Sequence, residues 1–185
     1  MLEQMKEEAQ VGIKSLIDQL RSFDNCIIHP PKGIPKPENG HKLPYDITQF
    51  YKLCGGIDLF INTDGFSYSI LSPEKVVLAN PVLLGEELAE EIWSDSKYRR
   101  DITLDCYLIA HDRNGDYLVI DLNENRLGLC YDAFHETYGL AGNMPIIAGS
   151  FTDLLRHLIE NKGQSIYWLD DNFTSLGDAY ENSEE

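Results

Sequence analysis

Positive charge is what this chain has least of. Fifteen lysines and arginines stand against 31 aspartates and glutamates, a net charge of −16 over 185 residues. The shortage is uneven. Residues 101–185 hold 16 acids and four bases (Arg113, Arg126, Arg156 and Lys162), whereas residues 1–100 hold 15 acids and 11 bases. Nucleic acid is held by lysine and arginine displacing counterions from phosphates, so no nucleic-acid partner is expected. Anionic membrane is disfavoured for the same reason. A basic protein partner would be drawn in. An acidic surface that serves only solubility fits the composition equally well.

Other absences narrow the choice further. No stretch approaches the roughly 20 apolar residues that span a bilayer. The opening Met1-Leu2-Glu3-Gln4-Met5-Lys6-Glu7-Glu8 places acid where a signal peptide needs a basic start and an apolar run. Residence in the cytoplasm is therefore expected. Cys26, Cys54, Cys106 and Cys130 form no C-x-x-C pair and sit among apolar neighbours, which predicts reduced thiols packed as small hydrophobes. There is no internal repeat, no G-x-G-x-x-G, no P-loop and no G-x-S-x-G. The five histidines show no H-x-x-x-H spacing and no neighbouring cysteine in zinc geometry. No metal, cofactor or catalytic residue is assigned on these grounds.

What is present reads as helices placed before, between and after strands. Leu2, Met5, Ala9, Ile13, Leu16, Ile17 and Leu20 recur at three- and four-residue steps and predict a first helix. Residues 29–40 carry four prolines and two glycines, an irregular loop. Pro44 suits a first helical position, Ile47, Phe50, Tyr51 and Cys54 make an apolar face, and Gly55-Gly56 offers a left-handed stop. Short apolar runs at 57–61 and 66–71 predict a hairpin, followed by a turn or short helix at Ser72-Pro73-Glu74-Lys75. Leu84, Leu88 and Ile92 predict the buried stripe of a helix rich in acid at its start. Runs at 104–111 and 116–122 flank the tight turn Asp112-Arg113-Asn114-Gly115, and a further strand is expected at 127–131. A last helix opens at Ser150, with Asp153 in the capping-box place and Gly163 at its end. The expected fold is α+β: a mainly antiparallel twisted sheet of about five to six strands, packed with N-terminal, middle and C-terminal helices. A single domain is expected over residues 1–185, with its core at about 5–163 and an acidic extension at 164–185.

The order of these pieces resembles the SUKH superfamily. The resemblance rests on Leu43-Pro44-Tyr45-Asp46-Ile47, Phe50-Tyr51 and Gly55-Gly56, which look like that family's entry helix and its stop. It rests also on Tyr107-Leu108-Ile109-Ala110-His111-Asp112, Asn114-Gly115-Asp116-Tyr117 and Ile120-Asp121, similar to the central hairpin, and on Ser150-Phe151 with Leu154-Leu155 as the closing helix. Tyr107 stands where the family hairpin often opens with tryptophan. The resemblance covers most of residues 40–160. It implies a binding protein: bacterial members neutralise a polymorphic or contact-dependent toxin, often a nuclease, and the fungal branch is a regulatory interaction module. It carries no catalytic motif.

Each residue that could carry chemistry also has a structural reading. Asp112 and Asp116 could act as acid and base, but an aspartate ahead of Asn-Gly is also what a hairpin turn uses. Asp112 to Asp121 puts Gly115 and Tyr117 out of step with a calcium loop. Cys54 continues a helical apolar face. Two function classes follow: an immunity protein that meets a basic toxin domain, and a non-catalytic regulatory or scaffold module. Candidate partner contacts are Tyr167, Trp168, Asp170, Asp171, Asp178 and Tyr180, with Glu86, Glu87, Glu90 and Glu91 as a second patch. Tyr167 and Trp168 could instead tie the tail to the core. Oligomeric state is left open.

Overall fold

The computed structural model describes residues 12–181. The opening positions of the first helix (Leu2, Met5 and Ala9) and the last four residues lie outside that range. Seven strands form one sheet: β1 (Ile27–Ile28), β2 (Ile57–Leu59), β3 (Tyr68–Ile70), β4 (Cys106–Asp112), β5 (Tyr117–Asp121), β6 (Cys130–Ala133) and β7 (Ile146–Ala148). Each pairs antiparallel with its neighbours in chain order, β1-β2-β3-β4-β5-β6-β7. Five helices accompany it: α1 (residues 12–20), α2 (Tyr45–Leu53), α3 (Ala79–Leu83), α4 (Glu86–Ser94) and α5 (Phe151–Asn161). The α+β class and the antiparallel sheet are as expected. The strand count is higher, because β1 and β7 are edge strands of two and three residues, too short to show a period.

The core follows from the sheet's middle. Cys106, Tyr107, Leu108, Ile109 and Ala110 are buried in succession. Successive strand side chains point to opposite faces, so both faces of β4 are covered. Against the sheet lies α5, whose Phe151, Leu154, Leu155, Leu158 and Ile159 are all buried. Each such side chain contributes about 1.5–3 kcal/mol by leaving water. Ser150 caps α5 by accepting from Asp153 N at 3.1 Å, and Lys162 (φ 54°) ends it. The buried carboxylate of Asp46 in α2 accepts from the backbone N and the hydroxyl of Thr152, at 2.9 and 3.0 Å, fixing α2 to the start of α5. Phe50 and Phe151 meet edge to face at 4.9 Å. All four thiols are free, and Cys54, Cys106 and Cys130 are buried. Burial pushes the Cys54 thiol up to about 11.

Several local expectations need correction. Pro44 stands one residue before α2, as its cap, and the helix ends on an extended Cys54 rather than on a left-handed glycine. Gly55 and Gly56 are needed for close approach: a Cβ on Gly55 would collide with the Pro30 carbonyl oxygen, and one on Gly56 would press on Ile70 O. The strand expected from Leu104 starts at Cys106, because Asp101 accepts from Thr103 N and winds Ile102–Asp105 into a 3₁₀ turn. The strand expected at 127–131 begins only at Cys130, since Gly128 (φ 95°) is still turning. Gly85 (φ 86°) breaks the middle helix in two, so Leu84 lies outside α4, and Leu88 is 41% exposed. The face of α4 that packs inward is Ala89 and Ile92.

Candidate partner-binding surface

With Ala89 and Ile92 turned inward, helical spacing sorts the remaining side chains of α4 into two groups. Glu86, Glu90 and Trp93, at steps of four and three, line a groove of about 370 Å³. Glu91 points elsewhere, within 3.3 Å of Lys97, and Glu87 is exposed away from the groove. The opposite wall is α3 with Leu78 and Pro81, the 3₁₀ turn with Thr103 and Leu104, and the loop residues Glu38 and Asn39. Among the described residues lining it there is no lysine, arginine or histidine.

The groove has a fixed floor. Asn80, nearly fully buried, donates to Thr103 Oγ1 at 3.0 Å and accepts from Tyr138 Oη at 2.9 Å. Leu78 bridges to Tyr107 of β4, and Leu108 N donates to Val77 O. The segment leading into α3 thus joins the sheet as if it were a further strand. Trp93, which is not among the candidate contacts, stands at the rim, 56% exposed. A signal was available: it stands seven residues after Glu86 and three after Glu90.

A polar chain fixes the proline-rich loop beside this groove. Asp121, wholly buried, accepts from Arg126 Nε at 2.6 Å, from Tyr131 Oη at 2.8 Å and from Asn123 N. Burial pushes its carboxyl up, while the Arg126 guanidinium and the hydrogen bonds oppose that shift. Arg126 also reaches Asp105 at 3.2 Å. His41 contacts Asp105 through Nε2 at 2.8 Å and Tyr107 Oη through Nδ1 at 3.0 Å. Burial raises the Tyr107 phenol to about 12. With both ring nitrogens engaged, His41 offers none to a substrate, and the chain acts to hold Glu38 and its neighbours in place. Glu38 N donates to Tyr107 Oη at 3.0 Å.

The tail residues are used differently from the α4 acids. Tyr167 and Trp168 are only 7% and 9% exposed. Tyr167 Oη donates to Ile147 O at 2.7 Å, Trp168 Nε1 donates to Asp132 Oδ2 at 3.0 Å, and His157 stacks on Tyr167 at 4.9 Å. Both side chains tie the tail to the core. Asp178 accepts from Gly142 N, Met144 N and Tyr180 N, and Tyr180 Oη donates to Gly139 O. Asp170 accepts from Ser165 Oγ. Asp171 alone of the six is exposed.

The remaining chemistry resolves locally. Asp112 accepts from Asn114 N and Asp116 N, the turn role, and Asp116 accepts from His135 Nδ1 at 2.7 Å. That contact raises the exposed His135 imidazole above its ordinary value. No group of three or more His, Cys, Asp or Glu among the described residues is placed to hold a metal ion. No described helix is long and apolar enough to cross a membrane.

The model of the SMI1/KNR4 family (SUKH-1) matches residues 37–157. Immunity protein YokJ of Bacillus subtilis (strain 168) is 42% identical over 174 residues, which cover 94% of this chain and 99% of that protein. No solved structure matches.

Proposed function

This chain belongs to the SMI1/KNR4 family (SUKH-1), and from that premise we propose that it is an immunity protein, which binds a toxin domain in the cytoplasm and neutralises it without chemistry of its own. The observation that carries this reading is the 42% identity to an immunity protein over nearly the whole of both chains. The toxin domain is basic on the face it presents, as a nuclease is where it holds phosphate. A protein of net charge −16 would meet such a face quickly, since opposed charge raises association rates and rejects wrong partners. Affinity then comes from a few buried anchors. The chain acts as one domain, with its tail folded back on the core.

Growth rescue tests the reading. The toxin domain encoded beside this gene is expressed in a bacterial host, alone and together with this protein. Arrested growth that the protein restores is the expected result. Arrest that persists at full expression of soluble protein contradicts it, and leaves a regulatory or scaffold module as the reading to pursue.

A further inference from the structure

Resting on the immunity reading, we infer that the groove between Glu38, α3 and α4 is the docking site for an arginine- or lysine-bearing segment of the toxin, with Trp93 as the ring beneath the cation. Three observations converge on this groove. Trp93 exposes more than half its surface, and its side chain makes no hydrogen bond, ion pair or ring contact with any described residue. Trp168, by contrast, is buried and hydrogen-bonded. An indole left open to water is costly, and tryptophan and arginine are both enriched among the residues that carry most of an interface's binding energy.

Charge supplies the second argument. Glu86 and Glu90 make no ion pair with a described residue, although Glu91 on the same helix is paired with Lys97. An acid in the first helical turn has a local reason to be there, because it faces the positive end of the helix dipole. That accounts for Glu86. It does not account for Glu90, a turn later, or for Glu38 on a separate loop that the Asp121–Arg126–Asp105–His41–Tyr107 chain holds in position. Three acidic residues from two elements thus line the same groove as an exposed tryptophan, and both the acids and the indole face attract a cation.

Size and shape decide the occupant. The groove's volume of about 370 Å³ matches one or two long side chains. Its walls, Leu78, Pro81 and Leu104, match the methylene stem of arginine or lysine, whose head would reach the acids. A second copy of this chain, itself at −16, would be repelled.

The probe is the purified toxin domain encoded beside this gene. Its affinity is measured at about 50 and about 300 mM salt for the wild type, Trp93→Ala, Glu86→Gln/Glu90→Gln, and Glu124→Gln/Glu160→Gln, two exposed acids outside the groove, as a control. Trp93→Ala is expected to weaken binding at least about tenfold, as loss of an anchor does. Glu86→Gln/Glu90→Gln should weaken it and flatten its salt dependence, with the control within about twofold of wild type. Because Trp93 and both glutamates are exposed, unchanged circular dichroism and Tm are expected for every variant. Tight binding by the wild type with Trp93→Ala within about twofold of it overturns the groove and leaves the immunity reading standing. A loss in Trp93→Ala without any change of salt slope in the glutamine pair overturns the basic segment. Absence of wild-type binding overturns both the groove and the reading it rests on.

Discussion

Arg126 Nε lies 2.6 Å from Asp121 Oδ2, and that carboxylate has no exposed surface. Removing one member of a buried pair strands the other, which costs about 3–5 kcal/mol. Arg126→Met should therefore lower unfolding free energy by that amount in denaturant titrations at pH 7.

The pH dependence of the same variant has a definite sign. Burial already raises Asp121 above its unfolded value, so the folded state binds protons more readily than the unfolded one. Stability contributed by this group is greatest below the unfolded value and declines as pH rises towards the folded one. Without Arg126 the folded value climbs further, so the deficit of Arg126→Met should be smaller at pH 4.5 than at pH 7. Equal deficits would contradict the assignment.

Asp178 is expected to be a structural carboxylate, since it receives three backbone donors, from Gly142, Met144 and Tyr180. Asp178→Ala should cost about 1–3 kcal/mol by stranding those donors. Refolded and saturated with toxin, the variant should bind as the wild type does. Differential scanning calorimetry with a binding titration separates the two effects.

At Gly163 the backbone has φ 72°, and a Cβ there would collide with the Phe66 carbonyl oxygen. Gly163→Ala should destabilise by at least about 1 kcal/mol. Amide exchange at Phe66, whose N donates to Gly163 O at 2.8 Å, should quicken.

These positions show what the amino-acid order could reveal. The capped, strongly periodic α5 and the Asp112–Gly115 turn were legible because their signals are local. The acids of α4 were legible as a cluster, but not which of them share a face with Trp93. That depended on Gly85 restarting the helix, so a stripe drawn through Leu84 and Leu88 was out of phase. The tail was half legible: Tyr167 and Trp168 suit a partner, and suit a tie to the core slightly better. Their hydrogen bonds to Asp132 and Ile147, 36 and 20 residues away, could not be read from local sequence. β1 and β7 were hidden because two or three residues carry no period.

His135 offers an independent check of the local electrostatics. Asp116 beside it raises the imidazole above 6.5. Its contribution to stability is present below the unfolded value and lost as pH rises through the folded one. A proton NMR titration should place the His135 midpoint above 6.5, and Asp116→Asn should bring it down.

Neutralisation itself is tested most directly by titrating the adjacent gene's toxin domain with this protein while following the toxin's own catalytic rate. The rate should fall to zero at a stoichiometric ratio, and higher salt should shift the titration to weaker binding. A rate that stays constant through a large excess of folded protein would contradict the account.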